Sequence, residues 1–279
     1  MQESFDYDLF VIGGGSAGVR AARMAAQRGA RVALAEAAQL GGTCVNLGCI
    51  PKKLYSYAAH YGEAFEEAAG YGWQVEGHPT LDWATLKSRR AQEILRLNGI
   101  YRGLLDKAGV HILQDWAQLT DAHTVQLAGS GQQVRAHHIL VATGGRPHVP
   151  DIPGRELVIT SNDMFDLEPF PKRLLVVGGG YIASEFASIF QGLGAQVTQL
   201  YRGGQILRGF DAEIASFVAT EMQKKGVQLR LQADITAVQR GSTGLRATLQ
   251  NGEVLEADAV LYATGRVPLV QGLGLEAAG

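Results

Sequence analysis

Short apolar runs along the chain each give way to a glycine turn, and the polar spacing behind each turn is helical. Residues 9–36 read LFVIGGGSAGVRAARMAAQRGARVALAE, and residues 174–202 read LLVVGGGYIASEFASIFQGLGAQVTQLYR. Each segment predicts a strand, a turn, an amphipathic helix, a Gly-Ala pair and a second strand, the opening of a parallel α/β nucleotide-binding sheet. A second repetition closes each unit: HHILVATGGRP at 137–147 matches ADAVLYATGRVP at 257–268. The pattern predicts an α/β chain with two Rossmann-like nucleotide-binding domains. The expected boundaries are 1–150 for the first domain with a helical insert, 151–270 for the second, and 271–279 for a return toward the first. The Pro-rich HVPDIPGRE near 148–158 marks the junction.

The first turn is written Gly13-x-Gly15-x-x-Gly18, directly after a strand and opening a helix. Glycines there permit the tight turn, close approach of backbone to a pyrophosphate, and close helix–strand packing. The helix N-terminus supplies unpaired N–H groups and a positive dipole end. Glu36 closes the second strand, where an acid can take ribose hydroxyls, so this site fits FAD or NAD and not NADP. The second turn is Gly178-x-Gly180-x-x-Ala183. Counting along the repeat puts Tyr201 opposite Glu36. The acid is gone, and Arg202 and Arg208 follow. Guanidinium groups grip a 2′-phosphate by charge-assisted bonds, whereas a carboxylate repels it. The second domain is therefore expected to prefer NADPH.

Between these features lies AAQLGGTCVNLGCIPKKLYSYAAHYGEAF, with Cys44 and Cys49 as the only cysteines of the chain. Two lone cysteines so close are a candidate redox pair, and no His or further Cys stands nearby in sequence to complete a metal site. A helix is expected from about Ile50, with Pro51 in its first turn. Cys49 then lies at a helix start, where the dipole and nearby Lys52 and Lys53 favour the thiolate. The Gly41-Gly42 step lets the backbone fold close to a cofactor. The formal net charge of −2 and the absence of basic runs give no support to nucleic-acid binding. No stretch is apolar for the ~18 residues of a membrane helix. The acidic N-terminus has no signal-peptide character, so the cytoplasm is the expected location.

LGGTCVNLGCIPKK resembles the redox-active disulfide motif of the flavin disulfide reductases, the glutathione reductase family. The first glycine turn, both ATG segments, GGGYIASEF, and LRGFD at 207–211 resemble the same family, in the same order. The resemblance implies FAD at the first site and NADPH at the second. It implies that Cys44 attacks the substrate disulfide, that Cys49 lies next to the flavin, and that Lys52 pairs with Glu185. Tyr181 is implied as the gate over the nicotinamide pocket. FAD contacts are implied at Gly13, Gly15, Ser16, Gly18, Glu36, Thr43, Lys52, Ala117, Thr143 and Gly144. Nicotinamide-nucleotide contacts are implied at Gly178, Gly180, Ile182, Arg202, Arg208, Gly265 and Arg266.

Within the family, Lys52 departs from the Ser that dihydrolipoamide dehydrogenases and mercuric reductases usually carry. GGGYIASEF and RLNGIY at 96–101 resemble the glutathione-reducing members more than the thioredoxin reductases, which share CIPKKL and LRGFD. Glutathione disulfide is the implied substrate, with Ser16, Arg23 and Tyr101 as its contacts. Met24 stands where the family has a second arginine. The alternatives are a thioredoxin reductase-like enzyme and an FAD/NADP-binding fragment without disulfide turnover. The resemblance implies that a homodimeric parent continues into a second FAD segment and a dimerisation domain with a His-Glu pair, so little turnover is expected from this chain alone. Phe65, Tyr71, Trp73 and Trp83 are expected to pack the helical insert against the sheet. SRRAQEILR at 88–96 reads as a solvated helix face, and His60, His78, His137 and His138 carry no catalytic pattern.

Overall fold

A computed structural model describes residues 4–77 and 79–279, so His78 lies outside the described residues. The chain divides into two compact units. The first runs through Pro51 and takes in Ala91–Arg146 and Pro268–Gly279; the second is Lys52–Arg90 with Pro147–Val267.

The first unit opens with strand β1 (Tyr7–Ile12), helix α1 (Ser16–Ala26) and strand β2 (Val32–Ala35). Helix α2 (Gly42–Asn46) and helix α3 (Cys49–Glu67) follow, and helix α4 (Trp83–Lys107) returns the chain to strands β3 (His111–Leu113), β4 (Ala117–Leu119), β5 (Thr124–Leu127) and β6 (Gln133–Val141). The six strands form one sheet in the order β3-β2-β1-β6-β5-β4. Strands β3, β2, β1 and β6 run parallel, and β5 and β4 add antiparallel pairs. Side chains alternate across the sheet. Val11 and Leu34 face a core shared with Val19, Ala22 and Leu105. Phe10, Ile12, Ala33 and Ala35 face a second core with Val125, Leu127 and Leu273. Burial on both faces explains why β2 is apolar throughout rather than alternating.

After the short strand β7 (Gly145–Pro147), the second unit contains β8 (Ile159–Thr160), β9 (Arg173–Val177), helix α5 (Tyr181–Gly192), β10 (Gln196–Tyr201), helix α6 (Ala212–Lys224) and β11 (Gln228–Leu231). Strands β12 (Ile235–Gly241), β13 (Gly244–Leu249) and β14 (Val254–Ala257) precede β15 (Ala259–Tyr262) and β16 (Arg266–Pro268). A parallel sheet has the order β11-β10-β9-β15-β8, and β12-β13-β14 form an antiparallel sheet. Leu175, Val177, Leu200 and Tyr262 from the first pack on Ile235, Val238, Ala247 and Leu249 from the second.

The helical segment 52–90 packs with the second unit, which differs from the contiguous first domain read from the sequence. Tyr55 is fully buried, with its ring 5.1 Å from Trp83 and 5.6 Å from Phe165. Its hydroxyl donates to the Phe165 carbonyl at 2.7 Å. Arg90 is buried and donates to the same carbonyl at 2.6 Å and to Asp166, so this part of SRRAQEILR is an internal brace and not a solvated face. Trp83 is buried as expected. Tyr71 and Trp73 are 83% and 74% exposed, and Phe65 is exposed as well, so these three do not pack the insert against a sheet. The local sequence could not separate the two fates, because burial of Trp83 depends on Phe170 and Phe190, far along the chain.

Candidate active site

The two glycine turns can be compared atom by atom. Gly13 N–H donates to Ala35 O at 2.8 Å, and Gly178 N–H to Leu200 O at 2.9 Å. Ala142 N–H donates to Ile12 O, and Ala263 N–H to Val177 O, both at 2.8 Å. Gly13 and Gly178 both take positive φ, and a Cβ on either would lie 2.4 Å from the carbonyl oxygen of Ala142 or Ala263. Both sites therefore require glycine. Gly15 and Gly180 cap α1 and α5 without any side-chain hydrogen bond, which leaves the first helical N–H groups for an anion.

Glu36 follows β2, and its carboxylate accepts Gly14 N–H at 2.6 Å and Ala38 N–H at 2.7 Å. An acid is thus fixed against the first turn, where ribose hydroxyls of an unphosphorylated adenosine would reach it. At the matching place in the second unit the Tyr201 ring covers Gly179, where a Cβ would lie 2.4 Å from the ring. The exposed Arg202 follows directly. Leu207 holds a left-handed φ of 57° and donates its N–H to Gly179 O at 2.6 Å, which draws the next residue, Arg208, to the turn.

Gly179, Tyr201, Arg202 and Arg208 line one cavity of about 590 Å³ in the second unit. Gly178, Gly180, Tyr181, Ile182, Gly265 and Arg266 line it together with the two arginines. The residues fit a phosphorylated dinucleotide: an uncapped helix start for pyrophosphate and two guanidinium groups for a further phosphate. His148, Asp234 and Tyr262 also line this cavity and went unread in the sequence. His148 is fixed by its backbone, donating to Gly265 O at 2.9 Å and accepting from Thr264 Oγ1 at 3.0 Å. Burial pushes the Tyr262 phenol well above its ordinary range, and Asp234 adds to the effect. Nothing in their local spacing marks these residues, which meet only through strand order.

In the first unit the cysteine loop sits on the first glycine turn. Gly41 N–H donates to Gly14 O at 2.8 Å, and a Cβ on Gly42 would lie 2.6 Å from Gly15 Cα. Gly41 and Gly42 both have positive φ, which only glycine adopts without strain. Asn46 donates to Gly42 O at 2.9 Å, and Asn98 of α4 donates to Asn46 Oδ1 at 2.9 Å and to Leu40 O at 2.8 Å. Cys44 is half-buried on α2, and Cys49 is exposed at the first position of α3. Gly48 folds the intervening chain back, since a Cβ there would lie 2.9 Å from Thr43 O and 3.5 Å from Cys44 Cα. The two cysteines lie close together. Among the described residues, no group of three or more His, Cys, Asp or Glu is arranged to hold a metal ion.

The remaining predicted residues are divided between the two units. Thr143 N lies 3.2 Å from the position a Cβ would take on Gly13, and Gly144 accepts Leu269 N–H at 3.0 Å. Ser16 and Thr43 are exposed at the starts of α1 and α2. The Ala117 side chain belongs to the core under the sheet, which leaves its backbone for a ligand. Tyr101 is half-buried against the core of the first unit, and Arg23 is half-buried with its Nε enclosed and without a hydrogen-bond partner. In the second unit, Lys52 Nζ lies 2.6 Å from Glu185 Oε1, with the side chains 27% and 37% exposed. Tyr181, four residues before Glu185 on α5, is 55% exposed.

The chain matches the family described as pyridine nucleotide-disulphide oxidoreductase over residues 7–279. It belongs to that family. It is 49% identical over 274 residues to a protein of Burkholderia cepacia named "Glutathione reductase", covering 98% of this chain and 60% of that protein. A Nostoc sp. protein of the same name is 46% identical over 278 residues, covering 99% and 60%. A Pisum sativum protein, "Glutathione reductase, chloroplastic/mitochondrial", is 42% identical over 286 residues, covering 99% and 51%. This pyridine nucleotide-disulphide oxidoreductase chain thus spans between half and two thirds of the length of the curated relatives it matches. Its fold is the pair of nucleotide-binding α/β units expected from the repeat. Among the described residues, no helix is long and apolar enough to cross a membrane.

Proposed function

We propose that the protein passes two electrons from NADPH, through FAD held at the first glycine turn, to the Cys44–Cys49 disulfide and on to glutathione disulfide. The observation that carries this reading is the seating of the cysteine loop on that turn, through Gly41 N–H to Gly14 O and Gly42 against Gly15. The three relatives named glutathione reductase, at 42–49% identity, support the choice of acceptor. Gly13, Gly15, Ser16, Gly18, Glu36, Thr43, Ala117, Thr143 and Gly144 would hold FAD, with Lys52 near it. When bound, FAD supplies a centre that takes a hydride from a nicotinamide and gives two electrons to a disulfide.

The chain's own residues do the remaining work. Two electrons break the Cys44–Cys49 bond and leave two thiolates. Cys44, as thiolate, attacks one sulfur of glutathione disulfide, forming a mixed disulfide and expelling one glutathione thiolate, which takes a proton. Cys49, as thiolate, then attacks the Cys44 sulfur, expels the second glutathione as a thiolate that takes a second proton, and restores the Cys44–Cys49 bond. Lys52, held by Glu185, places a positive charge one helical turn beyond Cys49 along α3. Tyr181 covers the nicotinamide cavity until the nucleotide enters. Arg202 and Arg208 take the 2′-phosphate, and Gly178, Gly180, Ile182, Gly265 and Arg266 hold the rest of NADPH. Ser16, Arg23 and Tyr101 face glutathione disulfide. The whole protein works as a cytoplasmic homodimer.

A single-turnover reoxidation experiment tests the acceptor. The FAD-loaded protein is reduced anaerobically with one equivalent of NADPH and mixed with glutathione disulfide or oxidised thioredoxin. Faster reoxidation by glutathione disulfide is expected. Faster reoxidation by thioredoxin moves the assignment to a thioredoxin reductase. If neither acceptor reoxidises the cysteines, the chain is a nucleotide-binding unit without disulfide chemistry.

A further inference from the structure

The two glycine turns differ in one buried way that the nucleotide reading does not use. At constant spacing along the repeat, Gly18, Val19 and Leu34 of the first unit correspond to Ala183, Ser184 and Gln199 of the second. Val19 and Leu34 are buried and apolar; Ser184 and Gln199 are buried and polar, and Gln199 is 0% exposed. A fully buried glutamine on a central parallel strand is a costly choice, so its amide needs a task.

The task is visible at the turn. In the first unit α1 presses on the turn so closely that a Cβ on Gly18 would lie 1.8 Å from Gly13 O. The Gly13 carbonyl is covered there by the helix itself. Ala183 carries the methyl that this arrangement forbids, and φ at the first glycine changes from 107° at Gly13 to 142° at Gly178. The Gly178 carbonyl cannot be covered by helix backbone in the same way. Gln199 Nε2 donates to Gly178 O at 2.9 Å and reaches Ser184 Oγ at 3.3 Å. The amide nitrogen is the end that faces the carbonyl, because the opposite orientation would set two acceptors against each other. Gln199 Oε1 is left buried without a hydrogen-bond partner. The site therefore sacrifices an acceptor in order to hold that one carbonyl.

We infer that Gln199 is a positioning residue for the nicotinamide nucleotide: with Ser184 it fixes the Gly178 carbonyl, and so the turn and the start of α5 that face the pyrophosphate. The inference rests on the second cavity being the nucleotide site. Gln199 touches no ligand. It acts through the orientation of the Gly178–Gly180 peptides, and its need arises from Ala183. Replacing Gln199 by an apolar residue leaves Gly178 O unpaired unless the helix can close on it again, as it does in the first unit.

The test measures NADP⁺ affinity by calorimetry for the wild type, Gln199→Leu, Ala183→Gly and the double variant, with thermal unfolding of each. Gln199→Leu is expected to weaken NADP⁺ binding about fivefold, the equivalent of one ordinary hydrogen bond. Gln199→Met, unbranched and close in volume, is expected to show the same loss and guards against a packing defect. The double variant, which recreates the Gly18–Leu34 pairing, is expected to regain most of the affinity. In flavin reduction by NADPH, KM is expected to rise in Gln199→Leu with kcat unchanged. Wild-type affinity in both single Gln199 variants, or simple multiplication of the two single losses in the double variant, overturns the inference. A wild-type protein that binds no NADP⁺ removes the nucleotide reading beneath it, and the inference with it.

Discussion

At the residue scale, the proposed discrimination between the two nucleotides rests on what stands after the second strand of each unit. Glu36 is held by two backbone N–H groups against the first turn; Tyr201 stacks on Gly179 in its place, and Arg202 and Arg208 line the cavity beside it. Arg202→Ala and Arg208→Ala are each expected to cost ~1.5–3 kcal/mol of NADPH binding, the range for hydrogen bonds to charged groups. NADH binding should hardly change, since it lacks the phosphate. Equal losses for both nucleotides, measured by titration of quenched protein fluorescence, would contradict the assignment. This layer was legible in the sequence because the repeat supplies its own ruler: Glu36 and Tyr201 could be set opposite each other by counting. Gln199 went unread in the sequence, although the same count sets it opposite Leu34. The pairing of Lys52 with Glu185 was not readable from spacing and came from the resemblance alone, since 132 residues intervene.

At the element scale, the cysteine loop is set by glycines and two asparagines. Gly42 has a left-handed φ of 57°, and a Cβ on it would meet Gly15 Cα at 2.6 Å, a backbone atom that cannot swing aside. Gly42→Ala must therefore lift the loop off the turn. It is expected to destabilise the fold by about 1–3 kcal/mol and to lower FAD retention after gel filtration. Unchanged melting temperature and flavin content would show that the loop is not seated on the turn. The strand–turn–helix units, the helix from Cys49 and the glycine step were all readable, because each depends on local apolar period or on φ. The brace by Asn46 and Asn98 was not, because it joins α2 to the middle of α4. The same limit applies to segment 52–90, whose partners Phe165, Asp166 and Phe190 come from beyond β6.

At the scale of the whole molecule, the chain carries two nucleotide-binding units, each built around one glycine turn, with the cysteines in the first and the guanidinium pair in the second. The proposed relay of electrons would use all of these together. The most direct measurement is anaerobic alkylation of the oxidised, FAD-loaded protein, followed by mass spectrometry, before and after one equivalent of nicotinamide nucleotide. NADPH should make both Cys44 and Cys49 alkylatable, and NADH at the same concentration should do so far less. Cysteines that stay unlabelled while NADPH is consumed, or equal labelling with NADH, would contradict the proposed path.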